Sequence, residues 1–183
     1  EDLRMSKNIL VISASLRNGS NSDMLADEFV RGALESSNKA EKITLRGKSI
    51  NFCKGCLACQ KTGKCVINDD MAEILPKMQQ ADVICFASPV YFYDMCGQLK
   101  TFLDRTNPLF PAEYNFTDIY FLITAADTEQ SASEGPLKGL QGWIDCFENA
   151  GLKGVVCGLG AEKPGDIKSM PAMNEAYMLG KKA

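Results

Sequence analysis

The sequence predicts an α/β protein, a three-layer sandwich whose five-stranded parallel sheet runs in the order 2-1-3-4-5. Three observations carry this expectation. Strand-sized apolar runs alternate with segments of helical period, as in a parallel sheet covered on both faces. Five such runs at this spacing suit a doubly wound order. No linker, repeat or low-complexity tract divides the 183 residues, so one domain with a sizeable core is expected over 6–183.

Taken in order, Asn8-Ile9-Leu10-Val11-Ile12-Ser13 is a continuous apolar run that then meets polar residues, as a buried strand does. A helix is expected over 21–35, with Leu25, Phe29 and Ala33 on one face and Ser20 or Ser22 as its cap. Residues 43–46 form a short second strand near a sheet edge. The pattern then breaks into a Gly- and Cys-containing insert over 50–68. Asp69 and Asp70 open a helix with the stripe Met71, Ile74, Leu75, Met78, and Pro76 inside it predicts a kink or a shortened first turn. Residues 82–87 are the third strand, 88–96 a loop, and 97–106 a helix that turns Leu99, Phe102 and Leu103 inward. A fourth strand over 118–124, a helix over 136–150 through Leu140, Trp143 and Phe147, a fifth strand over 154–159 and a last helix over 171–180 complete the chain.

Composition narrows the chemistry. Eight cysteines and no histidine exclude a Ser-His-Asp or Cys-His hydrolase and any His-ligated metal. Reactivity must come from thiols, carboxylates, hydroxyls or a borrowed cofactor. A net charge of −3 offers no basic face for nucleic acid. No apolar run approaches the roughly 18 residues of a membrane span. The opening residues are short and polar, without a secretory signal; Glu1 to Arg4 read as an expression scar before a natural start at Met5. A cytoplasmic protein is expected.

In open α/β sheets, ligands bind at the carboxyl ends of strands where the strand order reverses. The loop there offers the hydroxyls of Ser13, Ser15, Ser20 and Ser22, the amides of Asn18 and Asn21, and the guanidinium of Arg17. With a helix N-terminus aimed at the same spot, it suits a terminal phosphate. The same composition also makes a capped turn. A dinucleotide turn G-x-G-x-x-G is missing, Arg46 stands where a ribose-binding acid belongs, and G-x-x-x-x-G-K-[ST] is missing too. Asp23, one turn into the helix, would repel phosphate unless it points away. After the third strand, Pro89-Val90-Tyr91-Phe92-Tyr93 sets three aromatic residues in a polar loop. Such a loop can line a flat ring, fold over the core or meet a second subunit.

Cys53-x2-Cys56-x2-Cys59-x5-Cys65 can wrap an iron–sulfur cube, hold zinc, or remain reduced or redox-active thiols. Gly55 and Gly63 favour a tight loop. Lys54, Lys61 and Lys64 would offset a cluster's charge or simply be solvated. Cys85 and Cys157 read as core residues, Cys146 as the buried side of its helix, and Cys96 as packing near the aromatic loop.

Ser15-x-Arg17-x-x-x-Asn21-Ser22, Ser88-Pro89-Val90-Tyr91-Phe92 and Gln98-Leu99-Lys100-x-Phe102-Leu103-Asp104-Arg105 together resemble the flavodoxin-like NAD(P)H-dependent FMN reductase family. The cysteine spacing resembles that family's iron–sulfur flavoprotein branch. The resemblance implies that Ser15, Arg17, Asn21 and Ser22 bind the FMN phosphate. Pro89, Val90, Tyr91 and Phe92 would frame the isoalloxazine, with the loop from Ala125 to Gln130, Ala125 and Asp127 within it, closing its far side. It implies hydride from NAD(P)H passed to flavin, a quinone, an azo compound or a metal ion, with no catalytic side chain because the flavin carries the chemistry. The alternative is an electron carrier with FMN and a [4Fe–4S] cluster in Cys53, Cys56, Cys59 and Cys65, serving a ferredoxin-like partner. A third reading keeps the fold as an interaction protein without cofactor. A homodimer or homotetramer is expected, because the aromatic loop and Asn107-Pro108-Leu109-Phe110-Pro111 carry more apolar side chains than loops of a monomer need.

Overall fold

A computed structural model describes residues 6–183. The expected scar at Glu1 to Arg4 lies outside the described residues. The elements are β1 (Asn8–Ser13), α1 (Asn21–Glu35), β2 (Lys39–Thr44), α2 (Ala58–Thr62), α3 (Met71–Gln80), β3 (Val83–Tyr91), β4 (Asp94–Met95), α4 (Gly97–Asp104), β5 (Asp118–Ala125), α5 (Glu134–Ile144), β6 (Gly151–Leu159) and α6 (Ala172–Lys182). The five parallel strands lie in the order β2-β1-β3-β5-β6, the predicted topology, while β4 pairs antiparallel with β3.

Each central strand feeds two cores, because successive side chains point to opposite faces. Leu10, Ile12, Ile84, Phe86, Ile119 and Phe121 pack on one side against α3, α4 and α5. Ile9, Val11, Val83, Cys85, Tyr120 and Leu122 pack on the other against α1 and α6. A strand buried on both faces has no polar alternation, which is why these runs read as continuous. β2 carries Lys39, Glu41 and Lys42 along an outer edge, where charges discourage pairing with another chain.

Several boundaries moved. β2 starts four residues before the predicted strand and ends at Thr44. Helix α3 runs through Pro76 from Met71 to Gln80 without interruption, its stripe of Met71, Ile74, Leu75 and Met78 buried. Helix α5 stops at Ile144, so Cys146 lies in the following turn and is exposed, against expectation. Phe147 still reaches the core from that turn, meeting Phe116 and Tyr114 edge-on and Trp143 at a tilt. Pro108 and Leu109 are buried as well, leaving Phe110 exposed in that segment.

Candidate functional site

The loop after β1 is held between the neighbouring strands. Ala14 N–H donates to the Ala87 carbonyl at 2.9 Å, and Leu45 N–H to that of Ser13 at 2.8 Å. Gly19 turns the loop at φ +63°, a left-handed conformation that a glycine adopts without strain. Ser20 caps α1, its hydroxyl accepting from Asp23 N–H at 3.4 Å and lying 3.0 Å from that of Ser22. The hydroxyls of Ser15, Ser20 and Ser22 are therefore buried beside the first amides of α1, which lie beyond the reach of any i−4 carbonyl. Arg17 and Asn18 are exposed at the rim, and Arg17 Nη1 donates to the Glu162 carbonyl at 3.0 Å.

Two side chains of this loop are engaged by protein partners. The Asn21 side chain is fully engaged: Nδ2 donates to the carbonyls of Ala161 (3.1 Å) and Lys163 (2.9 Å), and Oδ1 accepts from Gly165 N–H (2.9 Å) and Ile167 N–H (3.4 Å). It staples the segment after β6 to the loop, leaving its backbone amide for an anion. Ser13 donates to Asp23 at 2.7 Å, and Lys42 of β2 pairs with the same carboxylate at 3.0 Å. Burial works against the charge on Asp23, but the Ser13 and Lys42 hydrogen bonds and the Lys42 and Arg46 charges hold its carboxyl below the usual range. The feared repulsion is thus answered by a paired carboxylate.

β3 continues past the sheet to Tyr91 and folds back, pairing Val90 with Met95 and Tyr91 with Asp94. The two residues at the tip, Phe92 and Tyr93, have φ of 51° and 61°. A two-residue hairpin needs left-handed backbone at both positions, usually supplied by Asn-Gly. Two aromatic residues there store strain of roughly 1–3 kcal/mol each. The tip is retained by contacts elsewhere. Tyr93 Oη donates to Asp127 Oδ2 at 2.9 Å, joining the loop after β3 to the loop after β5. The Asp127 hydrogen bond and charge push the Tyr93 phenol up, while the Glu129 amide and then the Tyr93 hydroxyl hold Asp127 down. Beneath the tip, α5 presents Gly135, whose added Cβ would lie 1.9 Å from the Tyr93 carbonyl oxygen. Pro89 and Val90 are half-buried, Ala125 is buried at the end of β5, and Phe92 projects fully into solvent. Buried hydroxyls at a helix N-terminus, beside an aromatic hairpin, fit a phosphate monoester that carries a flat ring. A cleft of about 430 Å³ opens beside the loop between Leu16, Leu45, Ile50, Phe52 and Gln98.

The cysteine insert is closed at its base by a buried ion pair that the sequence reading did not single out. Arg105 follows α4, and its Nη1 donates to Asp69 Oδ2 at 2.6 Å and to the Asn51 carbonyl at 2.7 Å. Nη2 donates to Asp69 Oδ1 at 2.9 Å. Burial opposes the Asp69 charge, yet Arg105 and the Asn51 and Met71 amides keep its carboxyl far below the usual range. Cys59 is buried and Cys65 half-buried, whereas Cys53 and Cys56 are exposed. Burial first, then the neighbouring Cys65, push the Cys59 thiol up. Among the described residues no three cysteine, aspartate or glutamate side chains are gathered as metal ligands would be. The donors suit a thiophilic metal chemically; their arrangement is two sulfurs held and two exposed.

Residues 7–134 match the family model described as NADPH-dependent FMN reductase. A Bacillus subtilis protein named as an NAD(P)H-dependent FMN-containing oxidoreductase is 30% identical over 189 residues, 96% of this chain and 97% of that one. An iron–sulfur flavoprotein of Methanocaldococcus jannaschii is 43% identical over 101 residues, 55% of this chain and 52% of the relative. The matched part is thus about half the length of such iron–sulfur flavoproteins. Among solved structures, an NAD(P)H:quinone oxidoreductase from Methanothermobacter marburgensis superposes with a TM-score of 0.76 at 18% identity, covering 97% of this chain and 96% of that one. That likeness establishes the fold.

Proposed function

This chain is a member of the NADPH-dependent FMN reductase family, and on that premise we propose that it is an FMN-dependent oxidoreductase fed by NAD(P)H. The observation that carries the reading is the set of buried hydroxyls of Ser15, Ser20 and Ser22 at the N-terminus of α1, beside a strained aromatic hairpin. These hydroxyls, the first amides of α1 and Arg17 would hold the phosphate. Ser13 keeps Asp23 turned aside, and Asn18 stands at the rim. Pro89, Val90, Tyr91, Phe92 and Tyr93 would frame the ring, with Ala125 and Asp127 on its far side. Bound FMN supplies hydride acceptance and electron transfer, so no side chain is needed as acid or base. The protein's part is orientation and exclusion of water.

A second reading, an iron–sulfur flavoprotein electron carrier, is favoured by the names of the relatives that match about half this chain and by the Cys53, Cys56, Cys59, Cys65 spacing. The acceptor is then a ferredoxin-like carrier in place of a small molecule such as a quinone. Exposed Phe92 and Phe110 support a homo-oligomer. None of the described helices is long and apolar enough to cross a membrane, which fits the cytoplasmic location we infer. The visible spectrum after anaerobic purification tests both readings. Flavin bands alone support the reductase, and added broad brown absorbance supports the carrier. A folded, colourless protein that FMN cannot reconstitute removes both. Within the reductase reading, Arg17→Ala is expected to weaken FMN retention about 10- to 100-fold, the loss of one charged hydrogen bond, with little change in unfolding midpoint. Equal flavin occupancy in that variant places the phosphate elsewhere.

A further inference from the structure

The turn that leaves α4 sends two N–H donors to the cysteine loop. Arg105 Nη2 donates to Cys65 Sγ at 3.5 Å, and Asn107 Nδ2 donates to Cys59 Sγ at 3.4 Å. Neither donor belongs to the phosphate loop or the aromatic hairpin. Arg105 is fixed by Asp69 and by the carbonyls of Asn51 and Ile67, so it ties the loop on both sides of its four cysteines. Its Nε is buried without a partner among the described residues, one further donor in the same place. Asn107 is oriented in turn by Gln60, whose Nε2 donates to Asn107 Oδ1 at 3.4 Å. The other two sulfurs are free of this segment. Cys53 and Cys56 are exposed, and Cys53 accepts from the Gly55 amide at 3.4 Å.

We propose that Arg105 and Asn107 are positioning residues for a thiolate-bound metal centre, holding Cys65 and Cys59 as a preset half-site on which Cys53 and Cys56 close when a thiophilic metal arrives. Each thiol that becomes a ligand gives its proton to solvent as its sulfur–metal bond forms, and no electron moves. N–H donors to a ligand sulfur orient it and draw off electron density, the role that outer partners play at metal sites. Two fixed sulfurs also reduce the chain entropy lost when the loop closes. The assignment is independent of the FMN reading.

Anaerobic titration of the metal-free protein with Co²⁺ tests it, because sulfur-to-cobalt charge-transfer absorption reports thiolate ligation directly. Difference spectra remove any flavin contribution, and the flavin bands of the same samples report separately on the phosphate site. Wild-type protein is expected to bind one Co²⁺ with a strong charge-transfer band. Asn107→Leu, similar in volume but without the donor, should bind about 10- to 100-fold more weakly and show the band at lower energy. Asn107→Gln, which keeps an amide, should restore part of both. Peptide-mapped alkylation of the metal-free protein should label Cys53 and Cys56 before Cys59 and Cys65. The Asn107 series stands alone if Arg105 variants fail to fold. Unchanged affinity and band energy in Asn107→Leu, Co²⁺ bound without a thiolate band, or four thiols alkylated at one rate would each overturn the proposal.

Discussion

Arg105 stands in a stretch that reads as a helix surface, yet its side chain is the largest of those fully buried among the described residues. A guanidinium leaves water only with a fixed partner, and Asp69 supplies one in a two-pronged pair that is itself buried. Removing one member strands the other charge. Asp69→Asn is therefore expected to lower unfolding free energy by about 3–5 kcal/mol, read from urea titration. The pH dependence has a definite sign. A carboxyl depressed in the folded state stabilises above its unfolded pKa, about 3.9, and that stabilisation is lost as pH falls toward the folded value. The gap between wild type and Asp69→Asn should thus be constant from neutrality to about pH 4 and shrink in stronger acid. A gap that narrows above pH 5 would assign the effect to another group. Asn21 has the opposite relation between sequence and structure. Its place in the loop after β1 was legible, but its side chain holds the segment after β6, and nothing local in the sequence signals a partner 140 residues away.

Helices α1 and α6 pack with glycines at their contact. A Cβ at Gly32 would lie 2.0 Å from the Tyr177 carbonyl oxygen, and one at Gly180 would lie 2.0 Å from that of Phe29. Gly32→Ala and Gly180→Ala should each cost about 1–3 kcal/mol, more if the helices cannot separate. Gly142→Ala, in α5 with open space around it, should be neutral or stabilising by up to about 1 kcal/mol. Thermal melts of the three variants decide this, and equal loss in all three would remove the packing argument. Gly135→Ala acts on the site, because its methyl displaces the Tyr93 carbonyl and with it the hairpin tip. That variant should lose FMN more readily than its stability loss explains. The hairpin was the element least legible in the sequence. Strand β4 has two residues, and its turn carries Phe-Tyr where sequence rules look for Asn-Gly, so 88–96 read as plain loop. The central strands and α1, by contrast, declared themselves through apolar runs and a buried stripe that tertiary packing reinforces.

Across the whole molecule, the strand order puts the loop after β1 next to the loop after β3, and β5 brings Asp127 to Tyr93. Topology was legible because it depends on coarse patterning. The closure of the cysteine insert was not, because it depends on one buried ion pair between residues 36 apart in the chain. The assembled site makes a prediction about the stability of the entire fold, since a ligand that binds only the folded state stabilises all of it. FMN at about a hundredfold over its dissociation constant should add about 2.7 kcal/mol to the flavin-free protein. For a chain of this size that is a rise of roughly 5–11 °C in Tm. Riboflavin presents the same ring without the phosphate. Because the buried serine hydroxyls, the α1 N-terminus and Arg17 are the anchoring features proposed for the phosphate, riboflavin at the same concentration should shift Tm far less. Arg17→Ala should bring the FMN shift toward the riboflavin value while its own flavin-free Tm stays near wild type. Equal shifts from both flavins would mean that the aromatic hairpin, and not the loop after β1, supplies the affinity.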